Sequence, residues 1–465
     1  MEFIPFQILN QALEKRLKNI NLYSDENFSF LKIVQHGLSY SMLQSKNKLL
    51  KTYFHLPFFL QVSMYSVRGL IKGGKWRGPT LQKFVLYDEG RIFESSTGEV
   101  QSMYFHKLEN EIGIENCTRI RLGGDQRLSA QYKWSDFANY EGSLDDREKI
   151  ILKSINNCLK RLSRSNEFTG DEMKYVESAF HVFFVSFRQH YRVLIGSKIK
   201  AAFFCVHYHK EGLIAALKVL GIQSIEVQHG LISANDFYYV YHKQFAPITS
   251  RAFFPDKILL YGNYWRNVLS RGAEWTSDQL IVVGNYLANA KTVDSIPFEK
   301  QNIIFIGAQK NLARAYTDYC ILLQKLIKAK GYDWRIVVKM HPLEKTPDIY
   351  RNELVPLGIE ILWNESNLFE CLAKCRIQIS IYSTTFFDSL GMNVLNLSLQ
   401  DYTNSSDYAK EMVTEGVALP LSLDQDPIHL LESLDVPSKY FLDSKDVYGE
   451  FPISGVGLWL KSFEK

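Results

Sequence analysis

Three short polar stretches in the second half of the chain carry the residue types that hold phosphate and move protons. They are Glu226-Val227-Gln228-His229-Gly230, Lys339-Met340-His341-Pro342 and Tyr382-Ser383-Thr384-Thr385-Phe386-Phe387-Asp388. In the third, hydroxyls gather where a helix is expected to begin, and a helix start offers unpaired N–H groups and a positive dipole end to an anion. The same residue types also serve as ordinary helix caps. Asp388, one turn along, is placed to receive ribose or sugar hydroxyls. In the second stretch proline stops the strand and leaves His341 at its edge, where an imidazole donates to a phosphate oxygen or protonates a departing one. Lys339 adds charge there if strand alternation turns it inward. Gly307-Ala308-Gln309-Lys310 resembles a phosphate-approach loop but falls short of G-x-G-x-x-G.

The first stretch faces a competitor. His229 and the neighbouring Cys205-Val206-His207-Tyr208-His209 bring histidines to adjacent strand ends, with Gln228 and Gly230 completing an acceptor-side set. Asp88-Glu89-Gly90 supplies a carboxylate pair after an earlier strand. A base that deprotonates a hydroxyl is commonly Asp, Glu or His, so Asp88, Glu89 and His229 all stand as candidates. No metal is called for: the one D-x-D, Asp424-Gln425-Asp426, sits in a polar stretch entering a helix and not after a core strand.

Each stretch begins where an apolar, β-branched run stops, and in open α/β sheets ligands bind outside the carboxyl ends of the strands. Strands are expected at 83–87, 117–122, 201–206, 223–228, 257–261 and 279–283, with helices at 171–195, 211–220 and 264–271. A second set follows: strands at 302–306, 334–339, 360–363, 377–381 and 393–399, with helices at 313–330, 368–373 and 385–390. The alternation implies two parallel-sheet, Rossmann-like domains, at 81–295 and 296–440. Residues 1–80 read as a helical extension, with helices at 12–19 and 27–50, and residues 441–465 as a tail packing back on the first domain. A helix is also expected over 145–164.

With 465 residues, 46% hydrophobic and 22% charged, the chain is a folded globular protein of more than one domain. A net charge of +4 argues against a general nucleic-acid binder. The charge is uneven, however: residues 27–87 contain no Asp or Glu but nine Lys or Arg, with apolar and aromatic residues between them. That composition suits residues 46–83 lying on an anionic membrane surface; the apolar run is too broken to span a bilayer. Six scattered cysteines lack disulfide or zinc spacing, and the N-terminus lacks a signal-peptide pattern, so a cytoplasmic location is expected.

Taken together, Gln228-His229-Gly230, Pro255-Asp256 with Leu260-Tyr261-Gly262-Asn263-Tyr264-Trp265, Lys339-Met340-His341-Pro342 and Ser383–Asp388 resemble the GT-B glycosyltransferases of bacterial surface-polysaccharide assembly. The resemblance covers about residues 80–440 and is nearest to branches that use cytidine nucleotides: the sialyl-, polysialyl- and Kdo-transferases, and the CDP-glycerol polyol-phosphate transferases. It implies two facing Rossmann-like domains, with His341, Ser383 and Thr384 holding the donor phosphate and the base in the first domain; Gly307, Gln309, Lys339, Pro342, Thr385 and Asp388 complete the expected donor side from their places at the strand ends. It implies no metal and no cofactor beyond a CMP-linked sugar as co-substrate, a glycan or lipid-linked acceptor, and a place at the inner face of the bacterial cytoplasmic membrane. The Asp88-Glu89 pair fits the acidic motif of the sialyltransferases but lies unusually far before His341. Transfer of a sugar and transfer of a polyol phosphate both remain open, and an epimerase-type sugar-nucleotide enzyme stands as a rival lacking its expected carboxylates.

Overall fold

Phe84–Asp88, Ala201–Cys205 and Ile303–Gly307 are apolar at almost every position, the pattern of a strand covered on both faces, and each lies fully buried inside a parallel sheet. The computed structural model describes residues 80–94, 99–133, 169–234, 253–272, 275–284, 299–310, 312–341, 346–363, 368–390, 392–401, 407–434 and 442–449, with a few short pieces between and before them. These residues fall into two compact units. One runs to residue 284 and is rejoined at Gly449; the other spans residues 299–448.

Before the first unit's sheet, β1 (Tyr23–Asp25) and β2 (Phe28–Ser29) pair antiparallel, so the helix expected from residue 27 does not start there. The rest of the expected helices at 12–19, 27–50 and 145–164 lies outside the described residues, apart from helical Lys153 and Asn157. So does nearly all of the basic 46–83 segment and the 455–463 tail.

The first unit's large sheet contains β3 (Phe84–Asp88), β6 (Cys117–Arg121), β7 (Tyr132–Lys133), β8 (Ala201–Cys205), β9 (Gln223–Val227), β10 (Lys257–Leu260) and β11 (Leu280–Val282), all parallel. Its spatial order is β11-β10-β9-β8-β3-β6-β7. Counted along the chain, that is the nucleotide-binding order 3-2-1-4-5-6, extended by one strand. A hairpin of β4 (Ile92–Glu94) and β5 (Val100–Ser102) follows β3 and leads into α1 (His106–Ile112). Helix α2 (Gly170–Leu194) starts with a capping box: Thr169 Oγ1 accepts from Glu172 N at 3.2 Å while Glu172 Oε2 accepts from Thr169 N at 2.7 Å. With α3 (Glu211–Val219), it covers the face formed by Val85, Tyr87, Ala202 and Phe204. Helix α4 (Asn263–Ser270) follows β10.

The second unit repeats the order without repeating the sequence. Strands β12 (Ile303–Gly307), β13 (Arg335–Lys339), β14 (Glu360–Leu362), β15 (Ile377–Ser380), β16 (Leu395–Leu399) and β17 (Leu419–Leu421) run parallel in the order β14-β13-β12-β15-β16-β17, again 3-2-1-4-5-6. Alternation along β12 divides the core. Ile304 and Ile306 pack with Tyr316, Cys320 and Leu323 of α5 (Ala313–Lys330), while Ile303 and Phe305 pack with Leu372 of α7 (Leu368–Lys374) and Cys375. Gly331 ends α5 in the left-handed conformation, φ 65°. The remaining helices are α6 (Pro347–Leu354), α8 (Thr385–Asp388), α9 (Asp407–Thr414), α10 (Pro427–Ser433) and α11 (Ser444–Tyr448).

Strands β7 and β17, each at a sheet edge, were not apparent in the sequence: one is two residues long, and the other carries Pro420 at its centre, which only an edge strand tolerates. The five described cysteines are free, and Cys117, Cys205, Cys320 and Cys375 are buried. No described helix is long and apolar enough to cross a membrane.

Candidate functional site

In this strand order the chain reverses direction across the sheet between the first and fourth strands, opening a crevice at their carboxyl ends. In the second unit those strands are β12 and β15, paired through Ile304–Ile377. Gly307 and Gln309 arrive from one, Ser383 and Thr385 from the other. Ser380 Oγ donates to the Gly307 carbonyl at 2.6 Å. The Tyr316 hydroxyl, from α5, lies 3.0 Å from Ser380 Oγ, accepts from Ile381 N at 3.0 Å and donates to Gln309 Oε1. Tyr382 N also points at Gln309 Oε1, at 3.5 Å. The acceptor end of the Gln309 amide is therefore occupied, while its Nε2 is buried without a partner. Such a donor carries a desolvation cost unless something fills the site.

Across the crevice Gln378 Nε2 donates to Thr385 Oγ1, which donates to Ser383 Oγ at 2.8 Å. A Cβ on Gly307 would stand 3.1 Å from Thr385 Oγ1, so glycine is what lets this hydroxyl approach the strand end. The expected anion cradle at a helix over 385–390 needs correction. Helix α8 is a single turn, and the N–H groups of Thr385, Phe386 and Phe387 already bond to Ser383 Oγ, Ser383 O and Thr384 O at 3.2, 3.2 and 3.0 Å. Ser383 acts on its own turn, as serine does in a cap; Thr384 is exposed.

Asp388 is half-buried, and its Oδ1 accepts from Tyr448 OH at 2.8 Å. Burial pushes its carboxyl up to about 6, against that hydrogen bond. Lys339 does not turn toward β12. Its Nζ donates to the Trp363 carbonyl, beyond β14, at 3.0 Å, and burial lowers its pKa. His341 is half-buried after β13, the strand next to β12, and its carbonyl accepts from Glu344 N at 3.0 Å. Pro342 lies outside the described residues. Asp426 caps α10 through Ile428 N and His429 N at 2.9 and 3.2 Å, so the D-x-D is structural. Among the described residues no group of three His, Cys, Asp or Glu is placed to hold a metal ion.

In the first unit the corresponding crevice lies between β3 and β8, paired through Leu86–Phe203. Asp88 has no exposed surface; its Oδ1 accepts from Gly90 N at 2.8 Å, and burial raises its pKa. That bond holds the turn, while Asp88 Oδ2 is buried without a hydrogen-bond partner. Glu89 is the reachable member of the pair, with Lys210 Nζ 2.8 Å from its Oε1. Burial would raise the Glu89 pKa, but Lys210, helped by Arg91 and His229, outweighs it and holds the carboxyl low. The turn is tightly built: Gly90 and Gly124 both have positive φ, at 71° and 72°, and the two loops touch backbone to backbone.

His207 is consumed by structure. Its Nδ1 lies 2.6 Å from Glu226 Oε2 and its Nε2 2.7 Å from the Tyr238 carbonyl, while Tyr239 OH donates to Glu226 Oε1 at 2.5 Å. All three side chains are buried, and both ring nitrogens are taken. Glu226 stays below the usual carboxylate range because His207 and Tyr239 overcome the effect of burial. Gln228 is likewise structural, accepting from Tyr261 N and donating to Gly230 O, each at 2.9 Å. It fastens the strand-end loop that presents His229. His209 adopts φ 68° and sets its ring against Tyr208 and Tyr238, at 5.3 and 5.9 Å.

His229 differs from these. Its Nδ1 is buried with no partner, and its ring meets Tyr104 edge to face at 6.4 Å. Burial pushes its pKa down to about 4 despite Glu226, so near pH 7 the imidazole is neutral. Glu89, Arg91 and Lys210 all act on it electrostatically. Lys210, Arg91 and Tyr104 were not among the expected site residues. Lys210 directly follows His209 and Arg91 directly follows Gly90, so both were adjacent to the motifs; nothing in the sequence pointed to Tyr104.

No family model matches the sequence, and no curated protein does. Solved structures that align with most of the chain include UDP-GlcNAc 2-epimerase from Methanocaldococcus jannaschii, at 10% identity and TM-score 0.49 over 82% of this chain and 99% of that one. The same enzyme from Neisseria meningitidis, bound to UDP-GlcNAc, aligns at 13% identity and TM-score 0.48 over 82% and 99%. A spinosyn rhamnosyltransferase aligns at 12% and 0.43 over 83% and 100%.

Proposed function

We propose that the protein is a metal-independent glycosyltransferase of GT-B type. In this reading it moves a sugar, an acidic one such as Kdo or a nonulosonate, from a CMP-linked donor to a growing surface glycan. One observation carries the proposal: both units have the 3-2-1-4-5-6 strand order, and each places an unpartnered buried polar atom, Gln309 Nε2 or His229 Nδ1, on a loop at its strand ends. The motif resemblance directs that general nucleotide-binding geometry toward sugar transfer, since a fold alone does not assign a function.

The second unit takes the donor. Gln309 Nε2 and the His341 imidazole supply donors for phosphate oxygens as CMP departs, and Gly307 lets the ligand approach the β12 end. The first unit takes the acceptor. His229, neutral near pH 7, removes the proton from the attacking hydroxyl; Glu89 and Lys210 set the field around it, and Asp88 holds the turn that presents Glu89. Residues 46–83 hold the enzyme at the inner, anionic face of the cytoplasmic membrane.

The test is thermal shift of the purified chain with CMP, CDP, UDP, GDP and CDP-glycerol. CMP is expected to stabilise it most, and Gln309→Ala to abolish the shift. No response to any nucleotide would sink the enzyme reading, UDP above CMP would sink its cytidine part, and CDP-glycerol above CMP would turn it toward polyol-phosphate transfer.

A further inference from the structure

The charged groups around His229 differ in how fully their hydrogen-bonding capacity is used. Glu226 is matched by its contacts with His207 and Tyr239. Glu89 is matched by Lys210, whose ammonium also donates to the carbonyls of Cys205 and Val206 at 2.8 and 3.2 Å, engaging all three of its protons. His229 carries no charge near pH 7. Arg91 is left over. Its Nη1 donates to the Tyr104 hydroxyl at 2.9 Å, and its guanidinium stands 5.8 Å from the centre of the Tyr104 ring, but no described carboxylate makes an ion pair with it. Tyr104, largely buried, also carries His229 against its ring. An arginine thus stands on the same aromatic support as the unpartnered imidazole, with most of its N–H fork unused.

A guanidinium presents paired donors that match the two oxygens of a carboxylate or phosphate. Tyr104 fixes its direction beforehand, which lowers the entropy lost when an anion docks. We propose that Arg91, strapped by Tyr104, forms a subsite for a carboxylate or phosphate on the acceptor, placing the acceptor's hydroxyl at His229. The inference rests on the acceptor role given above to the first unit, and it names the acceptor class: a glycan whose terminal unit is anionic.

Calorimetric titration of the full chain at low salt tests it, with N-acetylneuraminate as the carboxylate probe, glycerol phosphate as the phosphate probe and methyl glucoside as the neutral one. CMP binding is measured on the same samples. One anion is expected to bind and methyl glucoside not to. Arg91→Ala should weaken that anion by about tenfold or more, Arg91→Lys by less, and Tyr104→Phe by several-fold, with CMP binding unchanged throughout. Whichever anion prevails identifies the group recognised. Absence of binding by both anions, or equal binding to wild type and Arg91→Ala, overturns the proposal. A wild-type protein that ignores CMP yet binds the anion through Arg91 refutes the donor reading and leaves the subsite standing.

Discussion

At the scale of single residues, the first unit separates histidines by how many of their ring nitrogens are occupied. His207 and His229 sit at the ends of neighbouring strands, yet one has both nitrogens bonded and the other has a buried nitrogen with none. With Nε2 facing a carbonyl, His207 must donate there, so the proton between Nδ1 and Glu226 determines whether the pair is ionic. Removing one partner of a buried ion pair is far more damaging than replacing the pair by a neutral, hydrogen-bonded one. His207→Ala is therefore expected to cost about 3–5 kcal/mol in urea unfolding. Glu226→Gln should cost much less, because a glutamine accepts from Tyr239 and donates to a neutral His207. Tolerance of His207→Ala within about 0.5 kcal/mol, the range of ordinary surface changes, would show that the pair contributes little.

At the scale of elements, apolar runs such as Ile303–Ile306 and Ile336–Val338 were legible because a strand buried on both faces needs no alternation, only β-branched bulk and a stop. Pairings between distant residues were not. Nothing in the spacing of Glu226 and His207 says that they touch, since this depends on β8 and β9 being neighbours in register, Phe204 opposite Glu226. Arg91 and Tyr104 escaped notice because β4 and β5, a hairpin of two three-residue strands, bring them together and are too short to leave a periodic trace. The helix at 385 was overestimated because Thr385-Phe386-Phe387-Asp388-Ser389-Leu390 has a helical pattern, whereas Asn393 adopts φ 55° soon afterwards and the chain turns into β16. Loop contact in the first crevice gives the prediction at this scale. A Cβ on Gly90 would lie 2.2 Å from Gly123 O and also needs φ 71°, whereas one on Gly123 meets nothing within 4 Å. Gly90→Ala should lose about 2 kcal/mol or more and displace both Glu89 and Arg91, while Gly123→Ala stays near wild type. Chemical denaturation of the two variants measures this, and equal stabilities would mean that the loops separate easily.

At the scale of the whole molecule, the two units share a strand order but carry opposite acid responses. In the first unit burial depresses His190 and His229 to about 4, below the ordinary value of 6.5, so the unfolded chain binds protons that the folded unit refuses. Their contribution is fully present above pH 6.5 and is lost as pH falls through 4. The lowered carboxyls of Glu89 and Glu226 act in the same direction, while the raised Asp88 and Glu109 offset part of it. Among the described residues of the second unit, the shifted group between pH 4 and 6 is Asp388, raised to about 6 from 3.8. A raised carboxyl favours the protonated folded state, so its contribution is full below 3.8 and is lost as pH rises through 6. Lowering the pH from 6.5 to 4.5 should therefore destabilise the first unit while stabilising the second, and scanning calorimetry should show two transitions moving in opposite directions. Asp388→Asn should remove the acid stabilisation of the second transition and leave the first unchanged. If both transitions fall together across this range, and Asp388→Asn changes neither, Asp388 titrates as an ordinary solvated carboxyl.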